Sequence, residues 1–408
     1  MVDIEDLNSS GSNAVRVQVP PPAPIAMNIL DRLRFKFSSN KPLIEVGISK
    51  VALLHNLHTY QNAFPNLQIA PVLKSNAYGH DLGLVARLLD KENIAFFMVD
   101  SLYEARRLRS AGAGSRIVVM GYVRPEEIAA SRLSRVDFAI TDIEQVRALL
   151  PLTHTPIRVH LKIDTGMHRQ GIPLSLLSET VALLKQNSNL IVAGVCSHFA
   201  DADTANSTHT NLQLTHWKTA LAHCMLEFPS IEYRHFGATK GMRFAQEAST
   251  NVARLGIGLY GFDTAPEHDT TLEPVLEMRS LIGELRVVPK GDSVGYNATH
   301  TTARETRVAT VPAGYFEGID RRLSNSGTVQ VRGVACPIIG RVSMNMTTID
   351  VTDVPDVAVG DTVTLISRNL EAPNSVPSIA RSVSTDAYRE SEYVVLVHIP
   401  QHLKRVLE

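Results

Sequence analysis

Eight short apolar runs, at 69–73, 94–99, 116–120, 136–140, 157–163, 190–196, 231–236 and 252–259, recur through the first two-thirds of the chain, with helical patterns between most of them. Two of those helical patterns open with capping boxes, Ser101…Glu104 and Thr141…Glu144. Strands that alternate with helices lie parallel, and eight such units predict a parallel (β/α)₈ TIM-type barrel. In that architecture functional groups gather at the C-terminal ends of the strands. Lys74, Asp164 and His198 sit at such ends.

After about residue 265 the pattern changes. Short apolar runs at 281–288, 306–311, 327–331, 335–339, 346–351 and 361–366 are separated by glycine, proline and aspartate, which predicts a mostly β C-terminal domain. The expected layout is a flexible N-terminal arm over 1–40, a barrel over 41–265 and a β-rich domain over 266–408, with a strand near 42–46 joining the last. The arm combines a polar stretch at 9–13 with four prolines in 19–24, and the mixed apolar and basic pattern at 25–37 suits a small helix. Net charge is −1, so nothing points to nucleic acid or an acidic membrane surface. No apolar run approaches the roughly 18–20 residues of a membrane span. Asp3, Glu5 and Asp6 stand where a signal peptide would be basic. The three cysteines, Cys196, Cys224 and Cys336, form no CxxC pair, and a cytoplasmic location is expected.

The segment PVLKSNAYGH at 71–80 ends an apolar run in a lysine. Burial lowers a lysine pKa toward the range where the neutral amine is a nucleophile, able to condense with an aldehyde. A strand-end lysine reaching to solvent is the plain alternative. Lys162, in LKIDTGMHR at 161–169, lies inside an apolar strand and is expected to face inward, where the plain reading is an internal salt bridge, with Asp164 or Arg169 near it. His198, in VCSHFADAD at 195–203, is either a core histidine bonded to a carbonyl or a site residue; no metal site is expected, because further ligands are not visible. GIGLYG at 256–261 spells G-x-G-x-x-G but opens no helix of a βαβ unit, so it reads as the end of barrel strand 8, with backbone N–H groups placed for a phosphate.

These segments resemble the alanine racemases, pyridoxal-phosphate enzymes of fold type III, from about residue 43 to the C-terminus. The resemblance makes Lys74 the cofactor-bearing lysine. LKIDTGM-x-R-x-G is the family's signature; in that family the lysine matching Lys162 is often carbamylated and its carbamate orients the arginine matching Arg169, which faces the cofactor's phenolic oxygen and the substrate carboxylate. His198 matches the histidine that packs on the pyridine ring. RLGIGLYG at 254–261 makes Arg254 the partner of the pyridine nitrogen, and places Gly256 and Ile257 at the phosphate with Tyr78 and Thr239. An arginine cannot give up its proton, so it donates to an unprotonated ring; the weaker electron sink favours racemisation over transamination. HFGATK at 235–240 carries Ala238 where the family usually has Asn.

In the second domain, VGYNATH at 294–300 makes Tyr296 the second acid/base, with Gly295 and Asn297 as variants. PAGYFEG at 312–318 and RRLSN at 321–325 follow, where Tyr315 matches a tyrosine that gates substrate entry. GRVSMNM at 340–346 places the Met344 N–H at the substrate carboxylate, with Asn345 replacing the usual Asp. Tyr393 matches a phosphate-binding tyrosine, although Val394 stands where the family has Glu. The implied enzyme is a two-base amino-acid racemase interconverting L- and D-alanine for peptidoglycan precursors, with Lys74 and Tyr296 on opposite faces of a pyridoxal 5'-phosphate adduct. It would act as a homodimer with shared sites. A serine or broad-spectrum racemase and a non-catalytic carrier of the same cofactor are the alternatives.

Overall fold

The chain is described by a computed structural model covering residues 41–202, 207–262, 271–384 and 392–408; the expected arm at 1–40 lies outside the described residues. Strand β1 (Glu45–Ile48) leads into helix α1 (Lys50–Ala63), whose first turn is capped by Ser49 accepting from Ala52 N–H at 3.2 Å. The alternation then runs β2 (Gln68–Pro71), α2 (Leu82–Leu89), β3 (Phe97–Val99), α3 (Leu102–Ser110), β4 (Ile117–Val119), α4 (Pro125–Ala130), β5 (Val136–Ile140), α5 (Ile143–Leu149), β6 (Ile157–Asp164), α6 (Leu174–Leu184), β7 (Leu190–Cys196), α7 (Thr208–Glu227), β8 (Tyr233–His235) and β9 (Val252–Leu255).

Strands β3 to β8 form one parallel sheet, and β9 pairs in parallel with β2. Two seams close the ring. Leu73 N–H donates to Met98 O at 2.7 Å on one side, and Asn251 N–H donates to Arg234 O at 3.1 Å on the other. The eight runs expected as strands therefore form the barrel. Alternate residues face in and out. Ile69, Phe97, Val99, Ile117 and Ala253 join the large apolar cluster under the helices, while Ala70, Val72, Phe96, Met98, Val118 and Val252 form a smaller cluster in the lumen.

Local details depart from expectation. The last barrel strand stops at Leu255, and Ile257–Tyr260 is a 3₁₀ turn. A Cβ on Gly258 would lie 2.5 Å from Tyr60 Oη, so only glycine lets the turn pack there. The cap of α5 is Asp142, which accepts from Glu144 N–H at 2.6 Å, and not Thr141, whose own N–H goes to Gln145 at 3.2 Å. At α3, Ser101 caps as expected, but the Glu104 carboxylate receives Asp100 N–H at 2.8 Å.

The apolar run at 281–288 is broken into β10 (Leu276–Leu281) and β11 (Glu284–Val288). At the break Ile282 N–H goes to Asp361 O and Gly283 N–H to Thr310 O, so the chain crosses from one sheet to another. The longer elements that follow are β12 (Thr306–Val311), β13 (Thr328–Val331), β14 (Val334–Pro337), β15 (Thr347–Asp350), β16 (Thr362–Ile366), α8 (Val376–Val383), α9 (Glu392–Val397) and β17 (Lys404–Leu407). They build a six-stranded sheet, β14-β13-β16-β10-β1-β17, and a three-stranded sheet, β11-β12-β15. β1 is antiparallel to β10 and parallel to β17.

Candidate active site

Beyond β2 the backbone turns left-handed. Ser75, Asn76, Ala77 and Tyr78 have φ of 55°, 56°, 54° and 51°, and Gly79 has 86°. Each non-glycine residue in this region costs about 1–2 kcal/mol, so the turn persists only because its surroundings fix it. His80 Nδ1–H donates to Ala77 O at 3.0 Å and Tyr78 O at 2.9 Å. Asn76 Oδ1 accepts from Leu82 N–H at 3.1 Å. Arg405 reaches in from β17, donating to Gly79 O from Nε at 3.0 Å and from Nη2 at 2.8 Å. Lys74 heads this turn, half-buried at the C-terminal mouth of the barrel.

A cavity of about 290 Å³ opens there, lined by Lys74, Lys162, Arg169, His198 and Arg254, with Asp100 as its one carboxylate among the described residues. Strand register sets the inner wall: Lys162 lies beside Cys196, and Cys196 beside His235. Lys162 faces inward as expected, but its Nζ donates to Gln170 Oε1 at 2.8 Å and forms no ion pair with Asp164. Asp164 instead accepts backbone N–H groups of Gly166, Met167 and His168 at 3.0, 3.1 and 3.1 Å. Burial, with Arg254, Arg169 and Lys74 nearby, pulls Lys162 below its ordinary pKa. Arg169 is exposed at the rim.

Below the mouth, one chain of hydrogen bonds fixes every proton. Arg254 is buried, and burial pulls it down to about 10, still protonated at neutral pH. A guanidinium only donates. Its Nη2 is 2.8 Å from His198 Nδ1 and its Nη1 is 3.2 Å from His235 Nδ1, so both imidazoles accept there and are neutral. Burial and Arg254 push His198 well below its usual range; burial, His160 and Arg254 do the same for His235. His235 Nε2–H then donates to His160 Nδ1 at 2.8 Å, and His160 Nε2–H to Asp137 Oδ2 at 3.2 Å. Burial opposes ionisation of Asp137, but His160, Arg116 and Arg158 hold it below the usual carboxylate range. Gly194 makes room for this chain, since a Cβ would lie 2.5 Å from His160 Nδ1. The sequence named Arg254 and His198; His160 and Asp137 were missed, although inward alternation with Lys162 could have found His160.

At the far end, Thr239 Oγ1 accepts from Gly258 N–H at 3.2 Å. A Cβ on Gly256 would fall 3.1 Å from Tyr78 Oη and 4.0 Å from Thr239 Oγ1, in the space between the two hydroxyls. Burial, with Tyr393 close by, raises Tyr78 to about 12, so it is a phenol that can donate. Ile257 opens the turn directly after Gly256. Among the described residues, no group of three or more His, Cys, Asp or Glu is placed to hold a metal.

Tyr296, Tyr315 and Met344 do not line this cavity. They are 69%, 43% and 56% exposed on the β-rich part of the chain. Asn325 joins their loops, accepting from Gly340 N–H at 2.7 Å and donating to Thr299 Oγ1 at 3.1 Å, while Ser324 Oγ accepts from Val342 N–H at 3.0 Å. The variants at 295 and 297 have a backbone reason: φ is 79° at Gly295 and 60° at Asn297, values that favour glycine and asparagine.

A closed barrel that holds an amine among further cations at its mouth, with hydroxyls around a glycine beyond it, defines a class: a barrel enzyme that binds an anionic, carbonyl-bearing group beside a lysine. Comparison with known proteins narrows it. The profile described as alanine racemase, N-terminal domain, matches residues 48–264, and that of the alanine racemase C-terminal domain matches 275–407. An alanine racemase of Syntrophobacter fumaroxidans is 36% identical over 84% of this chain and 93% of its own length. The alanine racemase structure of Clostridium difficile 630 superposes with a TM-score of 0.82 at 26% identity, covering 90% of this chain and 96% of that one. One from Bartonella henselae, with covalently bound pyridoxal phosphate, gives a TM-score of 0.79 at 24% identity over 90% and 100%. The chain belongs to the alanine racemase family.

Proposed function

We propose that this chain is a pyridoxal 5'-phosphate-dependent alanine racemase using two bases, Lys74 and Tyr296. The observation that carries the reading is the cavity joining Lys74 to Arg254. The residues present fit the cofactor: an amine for its aldehyde, an arginine that only donates for its ring nitrogen, and a space at Gly256 flanked by hydroxyls for its phosphate. Tyr78, Thr239, Gly256, Ile257 and Tyr393 would hold the phosphate, and His198 the ring. When bound, pyridoxal phosphate withdraws electrons from the substrate Cα–H bond and so acidifies it. Lys74 Nζ would exchange the proton on one face and Tyr296 Oη on the other. Arg254, still protonated at neutral pH, would donate a hydrogen bond to the ring nitrogen without giving up its proton, and so would leave that nitrogen unprotonated. Arg169 and Met344 N–H would receive the substrate carboxylate, and Tyr315 would gate entry. Carbamylation of Lys162 would need displacement of its bond to Gln170.

The exposure of Tyr296 supports a homodimer in which a partner's β-rich domain completes the barrel mouth. In this reading 41–265 would supply all of the cofactor site but Tyr393, and 266–408 would supply the phenol. No helix among the described residues is long and apolar enough to cross a membrane, and the buried, unpaired Cys196, Cys224 and Cys336 suit a reducing cytoplasm. D-Alanine for peptidoglycan precursors would be the product's use. The test is D/L interconversion over a panel of alanine, serine and larger amino acids, with the visible absorbance of bound cofactor recorded on the same protein. Alanine turned over fastest supports the reading. Serine fastest indicates the broader racemase, and absorbance without turnover indicates a carrier.

A further inference from the structure

Glu317 is a buried carboxylate, 8% exposed, on the turn that carries Tyr315. Both of its oxygens are engaged. Oε2 accepts from Gly314 N–H at 2.8 Å, and Oε1 accepts from the Asn345 side-chain amide at 2.7 Å. The two turns it joins are also laced by backbone: Tyr315 N–H donates to Ser343 O at 3.0 Å and Phe316 N–H to Met344 O at 2.9 Å. Their approach is so close that a Cβ on Gly314 would lie 2.2 Å from Ser343 O. An aspartate at 345 would set a second carboxylate against Glu317, with no proton to share between them in their ionised forms. In this chain the amide at 345 supplies the donor that Glu317 Oε1 accepts from.

We propose that Glu317 and Asn345 are a positioning pair, which fixes the spacing between Tyr315 and the Met344 N–H and thereby sets how tightly the substrate carboxylate is received. The assignment rests on the racemase reading. Neither side chain touches reacting atoms; the pair acts through the two turns, and its loss weakens substrate binding more than proton transfer.

The experiment is kinetic, on the cofactor-loaded enzyme with alanine in both directions. Asn345→Asp is expected to raise KM by about tenfold, the scale of one charge-assisted hydrogen bond replaced by repulsion, with kcat within about threefold of wild type. In the double variant Glu317→Gln/Asn345→Asp the amide and the carboxylate change places: the new amide at position 317 can still accept from Gly314 N–H while donating to the new carboxylate at position 345. This swap is expected to bring KM back to within about threefold of wild type. Cofactor absorbance and the thermal midpoint of each variant show that the fold is kept. An active wild type in which the swap is no better than Asn345→Asp, or in which Asn345→Asp leaves KM unchanged, overturns the pair. A wild type with no racemase turnover overturns the racemase reading, and this role with it.

Discussion

Three histidines, His80, His198 and His235, are held neutral by burial, and His80 is pulled down to about 3. Such groups make stability depend on pH. Their unfolded pKa is about 6.5, so above that value neither state takes up a proton and their neutral burial carries no penalty. As pH falls below about 6.5, the unfolded chain gains protons that the native chain refuses, and stability is lost toward the depressed native values. Each such histidine steepens the loss by about 1.4 kcal/mol per pH unit. Urea unfolding at fixed protein concentration, compared between pH 7.5 and 5.5, should show this, and His80→Gln should give a shallower acid slope despite lower stability at pH 7.5. Equal slopes for the two proteins would mean that His80 is not held neutral. None of these shifts is visible in a sequence, because burial is a property of the packed barrel.

The left-handed turn after β2 is the element on which the site depends. Its glycine answers two demands at once, a φ of 86° and a close approach in which a Cβ would meet Leu396 O at 2.2 Å. Gly112, after α3, answers only the first, with φ of 89° and nothing within 4 Å of its Cβ position. Gly112→Ala should therefore cost about 1 kcal/mol, the price of the dihedral alone. Gly79→Ala should cost more than about 2 kcal/mol and lower cofactor retention, because the turn must move away from α9. Thermal unfolding and absorbance of bound cofactor read the two effects; equal losses for both variants would show that the contact to Leu396 is unimportant. The sequence signalled an end to β2 at this point through its lysine, Asn76 and Gly79. It could not signal four successive left-handed residues, since Ser, Ala and Tyr carry no such preference.

At the scale of the whole molecule, two groups of residues carry the proposed chemistry: Lys74, Arg254 and their neighbours at the barrel mouth, and Tyr296, Tyr315 and Met344 on the β-rich part. If neighbouring chains bring them together, mixing Lys74→Ala with Tyr296→Ala subunits should restore up to about one-quarter of wild-type activity, since one site per mixed dimer is intact and half of the random dimers are mixed. No recovery, in a mixture shown to exchange subunits, would place both bases in one chain. The sequence by itself determined the barrel, because eight alternating strand and helix patterns leave few ways to bury their apolar faces. It also placed Lys74 and Arg254 at strand ends, but their proposed roles came from the resemblance to the alanine racemases, since a strand-end lysine can equally reach to solvent. The tertiary structure decided what depends on neighbours distant in the chain: β1 pairing with β10 and β17, the proton order from Arg254 through His235 and His160 to Asp137, and Asn345 meeting Glu317. A hydrogen bond needs both partners in place, and only the folded chain puts them there.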